Sequence, residues 1–321
     1  MMLEGCTVLV TGGAGFVGSH LVKALLKLQC KVRILDNLST GFEENLPPNE
    51  SIEFVRGDVR DAKTCLDAVK GVDLVFHEAA QINPALAVEK PLYDFEVNAR
   101  GTLNMLEAAR LCDIKKFIFA STNLYGNPRY LPIDEDHPFD LLSPYAAAKL
   151  CGEGYCIVYH RTHGIDTVRL RYSNVYGPGQ RSEKSESGVV AIFLKRALNN
   201  QPLIIFGKGD KTRDFIYISD VVTANILAAQ SEKSVGDVFN IGSGIETSIR
   251  QLAEIVRKVT NRQNLEILYT SERLADFSRC RIEFSKAKRI LGFTPKVHLE
   301  EGLRKTAEWL MGADVCTLEK R

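Results

Sequence analysis

The sequence predicts an α/β fold: a doubly wound parallel sheet over residues 1–172, followed by a smaller, mainly C-terminal α/β part over residues 173–321. Three observations lead to this expectation. Short apolar runs alternate with stretches of helical periodicity through the first part. Those runs are continuously apolar, which is typical of parallel strands covered on both faces. After Tyr172 the composition changes to a segment rich in Gly, Ser and charged residues.

The predicted elements of the first part alternate regularly along the chain. Each strand is a short run rich in Val, Ile, Leu or Phe, and each helix repeats apolar residues every three or four positions. The predicted strands are 6–10, 31–36, 52–58, 72–77, 115–121 and 167–172. The predicted helices are 15–28, 61–70, 91–112 and 144–162. We expect right-handed crossovers between neighbouring strands.

The second part begins with a predicted surface loop at 174–188, which is rich in Gly, Ser and charge. Shorter apolar runs and helices follow, up to a terminal helix. We expect this part to cover a substrate bound at the sheet, with some of its segments returning to the sheet.

Composition and charge narrow the class of protein. Of 321 residues, 45% are hydrophobic and 25% are charged, which is the profile of a globular chain with a substantial core. Lys plus Arg number 41 and Asp plus Glu 40, so charge gives no reason to expect nucleic acid or an anionic membrane as partner. The sequence lacks a signal-peptide pattern and an apolar run of roughly 18 residues. We therefore expect a cytoplasmic protein.

The eight cysteines are not spaced as metal ligands. None forms a CxxC pair, and no cluster of histidines accompanies them. Because a zinc site needs such paired spacing, we expect no metal. Reduced thiols in a cytosolic protein are the simpler interpretation.

A glycine-rich turn joins the first predicted strand to the first predicted helix. The segment TGGAGFVG (11–18) fits G-x-G-x-x-G from Gly13 and G-x-x-G-x-x-G from Gly12. Glycine lets the backbone approach a pyrophosphate, and the helix N-terminus offers free N–H groups and a positive dipole end. A glycine loop alone is a weak signal, but its place between strand and helix predicts a dinucleotide site.

Asp36 closes the second predicted strand, 18 residues after Gly18. A carboxylate there accepts hydrogen bonds from the adenine ribose diol and repels a 2′-phosphate, which predicts NAD rather than NADP. Arg33 lies three residues earlier and should face the opposite side of the strand. Asp58, after the third strand, has two open interpretations: a contact to the adenine amino group, or a helix N-cap.

The segment SPYAAAK contains a possible proton-handling pair. Ser143 can cap a helix and Pro144 suits its first turn, which places Tyr145 and Lys149 on one helical face. A lysine ammonium and an oxidised nicotinamide both favour a phenolate, which would make Tyr145 a proton acceptor. On spacing alone, such a pair is usually structural. Ser121 favours the catalytic interpretation, because it ends a parallel strand where α/β sheets bind ligands.

These motifs appear together with others in the order of a known family. They are TGGAGFVGSH, Asp36, HEAA (77–80), Asn98 in NARGT, STNLYG (121–126), YAAAK, RYSNVYGPGQ (171–180), TRDFIYISDVV (212–222) and NIGSG (240–244). The chain resembles the extended short-chain dehydrogenase/reductase family over nearly its whole length. Within that family it looks most like the NAD-dependent UDP-glucose 4-epimerase group. The resemblance implies a Rossmann domain and a smaller substrate-binding domain.

The resemblance implies a role for each matched residue. Ser121 would contact the sugar O4, Tyr145 would act as base, and Lys149 would anchor the cofactor. The implied NAD-binding residues are Gly12, Gly15, Phe16, Val17, Gly18, Asp36, Asn37, Asp58, Val59, Ala79, Ala80, Asn98, Tyr145 and Lys149. The implied sugar-nucleotide residues are Ser121, Tyr145, Asn174, Arg213, Arg273 and Asp276. Ala275 stands where the family's R-x-G-D motif has glycine.

The reaction implied is inversion at C4 of a UDP-hexose through a 4-keto sugar, with the cofactor unchanged at the end. Tyr145 would take the C4 hydroxyl proton and later return it. Alternatives within the family are net oxidoreduction of a sugar nucleotide and epimerisation at another carbon. A non-catalytic dinucleotide sensor is a further alternative, although such proteins usually lose the tyrosine or the lysine that this chain retains.

Several positions depart from related activities. The 4,6-dehydratases have an Asp-Glu pair where this chain has Thr122 and Asn123, and UDP-glucuronate decarboxylases have Glu at the Asn123 position. Both activities are therefore disfavoured. Glu78 replaces the more usual Leu or Gln of the HxAA motif. Asn83 and Ala87 replace small hydroxyl residues near the sugar, which leaves the hexose open.

The resemblance also implies a homodimer. The helical stretches 91–112 and 145–160 would pair across a two-fold axis as a four-helix interface. Apolar residues lie on more than one side of these stretches, at Leu103, Leu106, Ile157 and Val158.

Overall fold

The protein is described here by a computed structural model. Its described residues are 2–180, 188–272 and 277–318. Arg273, Asp276 and part of the predicted loop 174–188 lie outside them. Among the described helices, none combines the length and apolarity needed to cross a membrane. The described residues also contain no group of three or more His, Cys, Asp or Glu placed to hold a metal ion.

The described strands and helices are numbered in chain order. The strands are β1 (Thr7–Thr11), β2 (Lys31–Asp36), β3 (Ile52–Arg56), β4 (Leu74–His77), β5 (Lys116–Thr122), β6 (Asp166–Tyr172), β7 (Asn174–Tyr176), β8 (Leu203–Phe206), β9 (Thr212–Tyr217), β10 (Val238–Ile241), β11 (Glu246–Ser248) and β12 (Ile267–Thr270). The helices are α1 (Phe16–Lys27), α2 (Ala62–Val69), α3 (Pro84–Glu89), α4 (Pro91–Phe95), α5 (Gly101–Leu111), α6 (Pro144–His163), α7 (Val189–Leu198), α8 (Ile218–Gln230), α9 (Ile249–Val259), α10 (Ser285–Leu291) and α11 (Leu299–Leu318).

Seven of the described strands form one parallel sheet in the order β10-β6-β5-β4-β1-β2-β3. The predicted doubly wound sheet is confirmed. The strand order reverses at β1, between β2 and β4, and such sheets bind ligands at the carboxyl ends of the strands at this point. β10 comes from the second part of the chain and pairs with β6, with Val238 opposite Arg169.

The sheet is covered on both faces because successive strand residues point to opposite sides. On β1, Val8 and Val10 belong to the apolar cluster that includes α1 and α8, whereas Leu9 belongs to the cluster that includes α2, α5 and α6. On β5, Phe117 and Phe119 join the second cluster. Helix α6 therefore packs on the face of β5 that carries these two rings.

Helix α6 begins and ends as its sequence predicts. The Ser143 hydroxyl accepts a hydrogen bond from Ala146 N (3.2 Å), Pro144 is the first helical residue, and Gly164 ends the helix in the left-handed conformation (φ 71°). Glycine adopts that conformation at little cost. The helix thus starts at a fixed residue, which places Tyr145 in its first turn.

The predicted helix 91–112 is divided into three pieces. Helix α4 passes through a π-helical turn at Glu96–Arg100 before α5 begins. A side chain at Gly101 would contact Val59, because a Cβ there would lie 2.7 Å from a Val59 methyl carbon. Single π turns are common at functional sites, and this one contains Asn98.

The second part of the chain forms two small sheets beside the large one. One has the order β11-β9-β7, and the other pairs β12 with β8. Asp214 on β9 is fully buried and accepts hydrogen bonds from Ser243 N (2.7 Å), Gly244 N (2.9 Å) and Ile282 N (3.0 Å). These bonds fix β9 and the segments after β10 at the carboxyl end of β6.

Candidate active site

The glycine-rich turn after β1 forms a surface of backbone atoms. Gly12 has φ 67°, and a Cβ there would lie 2.8 Å from the backbone of Ala79. A Cβ at Gly18 would lie 2.1 Å from Gly12 O. Helix α1 starts at Phe16, with Gly15 as its uncapped N-cap residue. The free N–H groups of this first turn, which includes Val17, fit a dinucleotide pyrophosphate.

Asp36 ends β2 beside this turn, and its carboxylate is buried. Its Oδ2 accepts a hydrogen bond from Ala14 N (2.9 Å), and its Oδ1 accepts one from Leu38 N (2.8 Å). Burial raises the pKa of the Asp36 carboxyl, while these two backbone donors act in the opposite direction. The carboxylate therefore links the glycine-rich turn to the segment that begins with Asn37.

Asp58 does not cap helix α2, because Asp61 occupies that place and accepts a hydrogen bond from Lys63 N (3.0 Å). The Asp58 carboxylate instead receives hydrogen bonds from Arg60 and from Asn37 Nδ2 (2.8 Å). The Arg60 guanidinium lowers the pKa of Asp58 to about 2. Val59, the next predicted cofactor residue, is buried in the apolar cluster of α2 and α5.

Asn98 supports the turn after β4. Its Oδ1 accepts a hydrogen bond from Gln81 N (3.0 Å), and its Nδ2 donates to Gln81 O (2.9 Å) and Asp94 Oδ1 (2.9 Å). Asn98 is buried, so within the described residues it fixes the backbone next to Ala79 and Ala80. It can thereby shape the cofactor cleft without facing it.

Two residues that the sequence places near the sugar, Asn83 and Ala87, take part in the local structure of α3. Asn83 caps helix α3 by accepting hydrogen bonds from Ala85 N (2.9 Å) and Leu86 N (3.3 Å). Ala87 is fully buried. The presence of Asn83 and Ala87 in place of small hydroxyl residues therefore affects the capping and packing of α3.

Tyr145 and Lys149 lie one turn apart at the start of α6. Lys149 is almost fully buried; its Nζ donates to Ala120 O (2.9 Å) and lies 5.1 Å from the centre of the Phe119 ring. Burial lowers the pKa of Lys149 to about 8, while the Glu78 and Asp94 carboxylates oppose that shift. The lysine is thus held in place against the end of β5.

The Tyr145 phenol is half-buried and faces the Thr122 hydroxyl. Burial raises the pKa of Tyr145 to about 12, the Thr122 hydroxyl acts to lower it, and the Asp94 carboxylate adds to the rise. Residues of this chain therefore keep the phenol protonated at neutral pH. A further positive charge is required before it can accept a proton.

The Ser121 side chain contacts Glu153 on α6. Ser121 is 3% exposed, and its hydroxyl donates to Glu153 Oε1 (2.6 Å). Neighbouring strand residues face opposite sides, and Thr122 is the residue that ends β5 beside Tyr145. A sugar contact by Ser121 thus stays a prediction, whereas the geometry favours Thr122.

Glu153 connects Ser121 to a buried network. Arg171 donates from Nε to Glu153 Oε1 (2.9 Å) and from a terminal nitrogen to Glu153 Oε2 (2.7 Å). Arg171 also donates to the Tyr125 hydroxyl (2.7 Å), which in turn donates to Asn240 Oδ1 (2.6 Å). The network ties α6, β5, β6 and β10 together under the cleft.

The predicted substrate residues that the structure describes lie in the second part. Asn174 begins β7 and is half-buried. Arg213 on β9 is only 7% exposed, and its guanidinium lies 3.7 Å from the centre of the Phe277 ring. Its NH1 group donates to Thr212 O (2.6 Å) and Phe277 O (3.0 Å). The Arg213 guanidinium is therefore a buried, hydrogen-bonded charge and not a solvated surface group.

The side-chain amide of Asn123, which follows β5, has hydrogen-bond partners at both its oxygen and its nitrogen. Its Oδ1 accepts a hydrogen bond from Tyr125 N (3.1 Å), and its Nδ2 donates to Cys280 Sγ (3.2 Å). An amide carries no transferable proton at ordinary pH. This position of the site therefore cannot act as a general acid or base.

Comparison with known proteins places this cleft in context. A family model described as the NAD dependent epimerase/dehydratase family matches residues 8–242. The chain is 44% identical over 308 residues to a putative UDP-glucose 4-epimerase of Methanocaldococcus jannaschii, covering 94% of this chain and 98% of that protein.

Two solved structures have the same fold over their full length. A UDP-glucose 4-epimerase with UDP-glucose from Thermotoga maritima matches with a TM-score of 0.92 and 38% identity, covering 96% of this chain and 99% of that one. A UDP-N-acetylglucosamine 4-epimerase from Methanobrevibacter ruminantium, in complex with UDP-N-acetylmuramic acid, matches with a TM-score of 0.92 and 35% identity, covering 97% and 99%.

These matches confirm the family resemblance and NAD as the expected cofactor. The match extends from the glycine-rich turn to β10, and so includes each residue that forms the cleft on the large sheet. The chain belongs to the NAD dependent epimerase/dehydratase family.

Proposed function

We propose that this protein is a nucleotide-sugar 4-epimerase that inverts C4 of a UDP-hexose through a 4-keto sugar. The observation that carries the proposal is the half-buried Tyr145 phenol, which faces the Thr122 hydroxyl one helical turn before the buried Lys149. The two solved structures described above carry 4-epimerase names, which supports inversion at that carbon.

In this mechanism Tyr145 takes the proton of the sugar C4 hydroxyl and later returns it. When bound, NAD supplies the acceptor and donor of the C4 hydride. Thr122 holds the C4 oxygen by a hydrogen bond. Lys149 positions the phenol relative to the cofactor ribose. A phenol with a raised pKa is a strong base once ionised, so the Tyr145 phenolate can accept the proton of the C4 hydroxyl held beside it.

The sugar must turn over between the two proton transfers. We propose that Asn174 and Arg213 hold the nucleotide during this rotation, together with Arg273 and Asp276. The buried, ring-stacked guanidinium of Arg213 supports a fixed anchor for a pyrophosphate. The engaged amide of Asn123 speaks against the dehydratase and decarboxylase reactions.

Tyr145→Phe should lower turnover by about 10²-fold or more, the scale of a lost acid–base group, and leave bound NAD in place. The measurement is interconversion of UDP-glucose and UDP-galactose, and of their N-acetylated forms, without added NADH. Interconversion of any 4-epimer pair at the wild-type rate would show that the Tyr145 phenol is structural.

The variants Thr122→Val and Ser121→Ala distinguish the roles of the two hydroxyl groups. Thr122→Val should lower kcat about tenfold with an unchanged melting temperature, since it removes one hydrogen bond to the reacting oxygen. Ser121→Ala should instead lower stability by about 1–3 kcal/mol, because buried Glu153 loses a donor, while kcat changes little. The reverse pattern would return the sugar contact to Ser121.

Asp36→Asn should reduce the preference for NAD⁺ over NADP⁺ by at least about tenfold, because the repulsion of a 2′-phosphate is lost. Glu44→Gln, in the exposed turn after β2, removes the same charge outside the cleft and serves as the control. The affinities are measured by calorimetric titration. Equal wild-type affinities for the two cofactors would contradict the role of Asp36.

We also propose that the protein forms a homodimer through α4 and α6. Leu92 on α4 is 80% exposed and Val158 on α6 is 49% exposed. Phe95 on α4 is also 50% exposed, and exposed apolar residues that cluster on one surface mark interaction sites. Leu106, which the sequence places in the same interface, is fully buried inside this chain and cannot contribute.

Light scattering at micromolar concentration should give twice the mass of the chain, and Leu92→Arg should give a monomer because a charge in an apolar interface is costly. Ile245→Arg is the control, since Ile245 is also apolar and 52% exposed but lies outside these helices. A wild-type monomer would contradict the dimer.

A further inference from the structure

Glu78 is a carboxylate at the cleft that the proposed mechanism does not use. It follows β4, directly after His77, and the two side chains leave the strand on opposite sides. His77 contacts the rings of Phe117 and Phe119 on the α6 side. Glu78 instead accepts a hydrogen bond from the Tyr172 hydroxyl (2.8 Å).

The Glu78 carboxylate is held in a defined position. The Tyr172 oxygen, besides donating to Glu78 Oε1, accepts a hydrogen bond from Asn225 Nδ2 (2.7 Å) on α8. Among the described residues, the second oxygen, Oε2, has no hydrogen-bond donor. The side chain is half-buried, so this second oxygen is available to the cleft.

The main chain of Glu78 touches the glycine-rich turn. Its N–H donates to Thr11 O (3.2 Å), and a Cβ at Gly12 would lie 3.1 Å from the Glu78 carbonyl carbon. Glu78 also acts on Lys149: among the charged groups, it makes the largest contribution to raising the pKa of Lys149. Glu78 therefore lies between the residues that fit the pyrophosphate and those that fit the nicotinamide ribose.

Few charges surround this carboxylate. From α6, Lys149 favours its ionised form, and from β6 the Tyr172 hydroxyl does the same. Burial outweighs both and raises the pKa of Glu78 to about 7. Asp94 on α4 and Cys156 and Glu153 on α6 also act to raise the pKa of Lys149, and His77 is buried with a pKa lowered to about 3. A partly dehydrated carboxylate gains much from an added positive charge nearby.

We propose that Glu78 sets the redox preference of the bound cofactor, by stabilising the positively charged oxidised nicotinamide over the neutral reduced one. An epimerase must begin each turnover with the oxidised form, and this carboxylate holds the cofactor in that state. The inference depends on NAD binding in this cleft, which the family assignment supplies, and not on the sugar in the proposed function.

The test measures binding to cofactor-stripped protein at pH 8, where the wild-type carboxylate is ionised. Glu78→Gln should lower the affinity for NAD⁺ relative to NADH about tenfold, the effect of one charge at a cleft of intermediate polarity. Glu266→Gln removes an exposed carboxylate and should leave the ratio unchanged. A Glu78→Gln ratio within twofold of wild type, or equal weakening of both forms, overturns the proposal.

A second variant keeps the test decisive if Glu78→Gln does not fold. Tyr172→Phe retains the carboxylate but removes the hydrogen bond that lowers its pKa, so at pH 7 more of Glu78 is protonated. The NAD⁺ preference should then fall about threefold, and an unchanged ratio overturns the proposal. Because epimerase activity is not the readout, an incorrect sugar assignment would leave both results unaffected.

Discussion

The buried ion pair of Glu153 and Arg171 is the interaction on which the site depends. Both side chains are less than 5% exposed, and two hydrogen bonds join them in the fork geometry of an Arg–carboxylate pair. Removing either partner alone would leave an uncompensated buried charge, which typically costs about 3–5 kcal/mol. The pair therefore fixes α6 against β6 instead of merely adding stability.

This constraint reaches the reacting groups through the helix itself. Glu153 lies one turn beyond Lys149 and two turns beyond Tyr145, so the three share a face of α6. Because Ser121 also donates to Glu153, the end of β5 is held to the same helix. The distance between the Thr122 hydroxyl and the Tyr145 phenol is thus set by groups below the cleft. Catalytic geometry here is maintained by a buried polar layer.

The parts of the site that depend on local spacing could be predicted from the sequence. The glycine-rich turn, Asp36 at the end of β2, and the start of α6 at Pro144 follow from short-range rules of turns and caps. Their neighbours in sequence are also their neighbours in space. The parallel sheet itself followed from the alternation of apolar runs and helices, whereas the order of its strands came from the structure.

The direction in which a side chain points could not be predicted from the sequence. Ser121 and Thr122 are adjacent, and only the register of β5 against α6 decides which hydroxyl meets Tyr145. Leu106 fits a helical pattern as an interface residue, but in the structure it is fully buried in the apolar cluster of α2, α5 and α6. The burial of Arg213 depends on the Phe277 ring, which comes from a distant segment and covers its guanidinium. Such outcomes depend on contacts between distant segments.

The position of β10 has a consequence for the order of events during synthesis. Among the described strands, β10 (Val238–Ile241) is the one that closes the outer edge of β6, and it follows β6 by more than sixty residues. Until the ribosome has released that segment, the nascent sheet ends in a strand with unpaired N–H and C=O groups. Such an edge can pair with another chain. The nascent protein therefore passes through a period of exposure to misassembly that ends when β10 docks.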